Sequence, residues 1–130
     1  MNDCLFYDFQ NASANLEHAG ALNNLAILHR SGCGVKQSDS EAEVLWHRAA
    51  ELGHSSAQAN LGSQLERRRG LTKDATIWYE RSALQGSRKG QHNYGRALEL
   101  GQGIKKNNVL ALHYYDVKLE KELLHVDWIL

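Results

Sequence analysis

Histidine is the side chain best suited to proton transfer or metal binding near neutral pH, and this 130-residue chain has seven of them, with two cysteines. Both chemistries need partners that converge on one point. The spacing supplies none. No H-E-x-x-H or C-x-x-C occurs, and His125 and Asp127, two residues apart, do not share a helix face. His18 and His54 recur in equivalent turns of a repeat, which gives them a role in the turn. Cys33 lies between Gly32 and Gly34 with only Lys36 as a nearby cation, so it reads as an inert thiol, free like Cys4 in a reducing compartment. Gly32-Cys33-Gly34 and Gly101-Gln102-Gly103 follow no strand and carry no dinucleotide fingerprint, so they punctuate helices and do not cradle phosphate. No nucleophile–base pair or carboxylate dyad stands at a useful spacing. The sequence therefore assigns no catalytic, metal or cofactor residue.

Charge offers a different chemistry. The net charge is zero, yet Arg67-Arg68-Arg69 with Lys73, Arg88-Lys89 and Lys105-Lys106 all fall in the second half of the chain. Such clusters favour an acidic partner segment docking along a loop edge. Nucleic acid is disfavoured, because the pI is near 7.1 and the aromatic residues are needed for the core. Hydrophobic content of 42% and charged content of 23% are ordinary for a globular domain. No apolar run approaches the roughly 20 residues of a membrane span. Residues 1–13 lack the basic flank and apolar stretch of a signal peptide. The expectation is a cytoplasmic protein.

The elements that position these side chains come from an internal repeat. Ala21, Leu25 and Ala26 recur as Ala57, Leu61 and Gly62, then as Gly90, Tyr94 and Gly95. Ala42, Leu45, Trp46, Ala49 and Ala50 recur as Ala75, Trp78, Tyr79, Ser82 and Ala83, then in part as Ala111, Tyr114 and Tyr115. Ala21, Ala57 and Gly90 stand 36 and 33 residues apart, the period of a unit that buries its apolar face only by stacking on neighbours. With no proline in the chain, glycine must end each helix. The predicted first helices span 21–31, 57–69 and 90–100, with small residues at positions one and six for a close helix crossing. The second helices begin at Asp39, Thr72 and Asn108 as N-caps, place the aromatic pair on the core, and end at Gly53 or Gly86.

The set Gly32-Cys33-Gly34-Val35, Ala42, Trp46, Ala49-Ala50-Glu51-Leu52-Gly53 resembles the Sel-one-like repeat family, relatives of the tetratricopeptide repeat, over about residues 9–118. The resemblance implies an all-α fold, an α/α solenoid of about three and a half repeats. The divisions are a half repeat at 1–20 aligned through Phe9, Ser13 and Ala14, repeats at 21–56, 57–89 and 90–118, and a helical extension or cap at 119–130. Copy two departs from the pattern, with Arg68 in place of the first loop glycine and a shorter loop. Some family members are secreted with a disulfide in each repeat. Only Cys33 lies within a full repeat here, which sets that branch aside.

The family implies a non-enzymatic adaptor that binds a protein or peptide. Positions three, seven and ten of the first helices share one mixed polar face, made of Asn23, Ile27 and Arg30, Ala59, Ser63 and Glu66, and His92, Arg96 and Glu99. With Arg67, Arg68 and Arg69 these form the candidate protein-binding surface. Substitutions at Ser63 or Glu66 on such an open face are expected to be neutral to within about 0.5 kcal/mol. Solenoid ends can also stack. The alternatives are a fragment of a longer scaffold or a regulatory subunit of an enzyme complex. Circular dichroism should show a predominantly helical spectrum; a large β-sheet signal would rule out the repeat architecture.

Overall fold

The computed structural model describes residues 18–116, and no strand occurs among them. Residues 1–17 of the half repeat expected at 1–20, with Cys4, and the extension expected at 119–130 lie outside the described residues. The helices are α1 Ala19–Ser31, α2 Asp39–Glu51, α3 Ser55–Gln64, α4 Thr72–Leu84, α5 Arg88–Leu100 and α6 at 108–116, with a π-helical turn at Leu65–Arg69 extending α3. The chain is all-α, made of the paired helices expected of the solenoid class. It divides within α3 into two compact units, Met1–Leu61 and Gly62–Leu130.

In the first unit α1 packs on α2. Ala26, Ala42, Trp46 and Ala49 are fully buried, as the pattern predicts, but the fully buried large residue of α1 is Leu28, while Leu25 at position five is half-buried. Trp46 is anchored at both ends of its polarity, since its indole Nε1 donates to Asn23 Oδ1 at 2.9 Å while its ring lies in the core. The loop after α1 is tied back by Ser38 N donating to His29 O at 2.7 Å.

In the second unit α4 packs on α5 and on the π turn. Its core holds Ala75, Tyr79, Ala83, Tyr94, Leu98 and Ala111. The small residues at position six do what their size suggests. A Cβ on Gly62 would lie 2.5 Å from Tyr79 Cε1, and one on Gly95 would lie 2.8 Å from Tyr115 Cε1. A Cβ on Gly90 would likewise meet the Ser82 side chain and the Ala83 backbone nitrogen.

The first helices begin two residues before the predicted 21, 57 and 90, and two further details differ from the sequence expectation. The N-caps lie one residue earlier. Ser38 Oγ accepts from Glu41 N at 3.2 Å and Asn107 Oδ1 accepts from Leu110 N at 3.0 Å, so Asp39 and Asn108 are the first helical residues. The equivalent Leu71 has no acceptor and leaves α4 without a side-chain cap. The second difference follows from Arg68. α1 and α5 each stop after 13 residues because Gly32 and Gly101 take left-handed φ values of 76° and 71°. Copy two has no glycine at that point, so its first helix cannot stop there. It widens into the π turn and ends two residues later at Gly70, φ 66°.

His54 carries the turn role expected of it. It precedes α3, and its Nδ1 accepts from Ala57 N at 3.1 Å. Burial lowers its pKa from the ordinary 6.5. The folded state therefore binds fewer protons than the unfolded state, and stability that is complete above pH 6.5 declines as the pH falls below it. His54→Asn, which keeps a capping acceptor without titrating, should flatten this part of the stability–pH profile in denaturant melts. Gly62→Val and Gly95→Val should each cost about 1–3 kcal/mol or more by overpacking, against about 0.5 kcal/mol or less for the exposed control Lys105→Ala.

Candidate protein-binding surface

The three faces proposed from sequence differ in how much they leave open. Asn23 is buried, its Oδ1 taken by Trp46 Nε1 and, at 3.1 Å, by Asn60 Nδ2. Ala59 is fully buried. Ile27, Ser63 and Arg96, all at position seven, are half-buried, while His92, Arg30 and Glu99 are exposed.

Position ten has a structural role that periodicity did not reveal. In each repeat its side chain reaches the aromatic ring of the paired helix. The Arg30 guanidinium lies 5.8 Å from the centroid of Trp46. The Tyr79 hydroxyl donates to Glu66 at 2.9 Å, and the Tyr115 hydroxyl donates to Glu99 at 3.0 Å. The signal was present in the sequence as a pairing of types, arginine with tryptophan and glutamate with tyrosine. It becomes meaningful only once the helices are known to cross at that level.

In the second unit Ser63, Glu66, Arg67 and Arg96 come together with Tyr79 around an open concavity of about 360 Å³. Arg96 Nη2 donates to Glu66 at 3.2 Å, which makes the arginine a tether for the carboxylate. Burial pushes the Tyr79 phenol up to about 12; the Ser63 hydroxyl opposes this and Glu66 adds to it. Glu66 thus serves two partners, against the expectation of an open face there: its replacement removes the acceptor of a buried hydroxyl and the partner of Arg96. Arg67 hydrogen-bonds Gln64 Oε1. Arg67 lines the concavity, and Arg68 and Arg69 follow it through the π turn; all three are exposed.

Cys33 is disulfide-bonded, and no free cysteine occurs among the described residues. This corrects the free-thiol expectation and removes its support for a reducing compartment. Among the described residues no group of His, Cys, Asp or Glu side chains converges to hold a metal, and no helix is long and apolar enough to cross a membrane.

The same helix pair, small-residue crossing and aromatic tether therefore recur three times. A family model for the Sel1 repeat matches at residues 19–54, 55–87 and 88–116. The chain belongs to the Sel1 repeat family. Among solved structures it is similar to a Sel1 repeat protein from Oxalobacter formigenes, with 31% identity and a TM-score of 0.73, covering 77% of this chain and 42% of that one. It is also similar to a protective antigen present in uropathogenic Escherichia coli strains displaying an SLR fold, with 31% identity and a TM-score of 0.75, covering 83% of this chain and 24% of that one. The chain thus spans less than half the length of either. No curated protein matches it. Sel1 repeat proteins generally act as protein-interaction scaffolds.

The tether is measurable in this Sel1 repeat chain. A Tyr79→Phe, Glu66→Gln double-mutant cycle should give a coupling energy of about 1–3 kcal/mol, as for a hydrogen bond to a charged group. The more exposed Tyr115–Glu99 pair should give less. Equal values would mean that burial does not strengthen the first tether.

Proposed function

We propose that this Sel1 repeat chain is a non-enzymatic scaffold that binds an acidic segment of a partner protein at the second repeat. The observation that carries the reading is the π turn, which exposes three consecutive arginines, the first of which lines the concavity with Ser63, Glu66 and Arg96. π turns inside helices occur frequently at functional sites. Arginine is suited to bidentate contact with carboxylates, and a cluster of one sign speeds encounter with an oppositely charged partner. Arg96, tied to Glu66, holds the floor of the site, while Arg67, Arg68 and Arg69 make contact from the rim.

The test is partner capture with the folded chain, followed by competition with a polyglutamate peptide. Bound partner should be displaced by the peptide and by salt, since the screening length falls from about 30 Å at 0.01 M to about 8 Å at 0.15 M. An Arg67→Ser, Arg68→Ser, Arg69→Ser variant should lose the partner, and a Lys105→Ser, Lys106→Ser variant should keep it. Capture that survives the triple replacement would refute the basic rim as the binding surface.

A further inference from the structure

The second and third repeats carry equivalent grooves, and they are not equally filled. In the second repeat the groove receives α5 and the loop that follows it. Arg96 donates to Glu66 at 3.2 Å, the Tyr94 hydroxyl donates to Glu80 at 2.8 Å, and Thr76 Oγ1 donates to Gln102 O at 2.9 Å. Gly103 lies so close to the Thr72 backbone that a Cβ there would collide with it. Under this cover Thr76 is 4% exposed and Tyr79 1%.

Shifted by one repeat, Glu66, Glu80, Thr76 and Tyr79 become Glu99, Asp116, Leu112 and Tyr115. The tether is retained, with Tyr115 donating to Glu99 at 3.0 Å. The cover is not. Leu112 is 59% exposed, and Glu99 and Asp116 are both exposed. Glu99, Lys106, Leu112 and Tyr115 help to line an open concavity of about 520 Å³. The groove keeps both carboxylates that the second repeat uses to receive a helix, and it adds a leucine where the second repeat has threonine.

We propose that this groove is a docking site for an α-helix of a partner protein, one that presents a tyrosine and an arginine two residues apart, as Tyr94 and Arg96 do. The arginine would pair with Glu99, the phenol would donate to Asp116, and apolar side chains of the helix would cover Leu112. A second copy of this chain is a poor occupant on charge. Among the described residues two helices have that pattern: α5, already seated in its own second repeat, and α4, whose Tyr79 is buried in the core beside Arg81 and cannot reach a groove. At the equivalent positions α1 offers Leu25 and Ile27, and α3 offers Leu61 and Ser63, with no cation in either. The groove selects for basic helices, whereas the arginine rim of the second repeat selects for acidic segments, so the two surfaces can be tested separately.

The probe is a fluorescent synthetic peptide of residues 87–104, the segment that fills the equivalent groove, titrated into the full-length chain and followed by anisotropy. Saturable binding is expected, weakened about tenfold or more by Leu112→Arg in the chain, equivalent to about 1.4 kcal/mol. Because Leu112 is exposed, that variant should fold. Glu99→Lys should weaken the native peptide and favour a peptide carrying Arg96→Glu. Polyglutamate should not compete. No saturable binding, or binding indifferent to Leu112→Arg, overturns the assignment. Self-association of the chain that Leu112→Arg abolishes also overturns it, by making a second copy the occupant.

Discussion

Close contact between a residue with no side chain and an aromatic ring organises the second unit. Gly62 and Gly95 let their helices approach Tyr79 and Tyr115 to a distance at which a single methyl would collide. Close packing of this kind fixes ring position to within fractions of an ångström, because protein interiors leave no slack. The ring position in turn fixes where its hydroxyl emerges. A buried hydroxyl needs an acceptor, and Glu66 supplies it; the carboxylate then needs a cation, and Arg96 supplies that. One steric constraint therefore places a chain of three polar groups at the mouth of a concavity.

The basic rim has a separate origin, in a missing glycine. A helix ends readily where the chain can turn left-handed, and Arg68 denies copy two that exit. The extra π turn that results carries three arginines and shortens the loop that follows to two residues, Gly70 and Leu71. A departure from the repeat pattern that looks like sequence decay thus creates the most distinctive local surface of the second unit. The first and third repeats, which keep the glycine, have seven-residue connections and no comparable cluster of cations.

The repeats share an internal logic and differ in the chemistry they leave exposed. In the first repeat the ring of Trp46 meets Arg30 at position ten, and its indole nitrogen is bonded to the buried Asn23, so no carboxylate is presented there. In the second the tether is half covered and surrounded by arginines. In the third the same tyrosine–glutamate pair faces outward beside Leu112. A scaffold assembled from near-identical units can present different surfaces because the residues that hold each unit together are few, and the positions around them are free to vary.

Much of this was determined by the sequence alone. The spacing of Ala21, Ala57 and Gly90, the small residues at position six and the glycines after each helix specified helix pairs, because those features report local geometry that a short stretch of chain sets for itself. The caps of the second helices are ambiguous in sequence, since Ser38 and Asn107 sit beside equally good capping residues, Asp39 and Asn108, and only the backbone path decides between them. The π turn, the tether from position ten to the aromatic ring, and the gathering of Ser63, Glu66, Arg67 and Arg96 around one concavity were decided by tertiary structure. Each depends on where two helices cross, and a crossing point is a property of packed surfaces, which periodicity along a single helix does not encode.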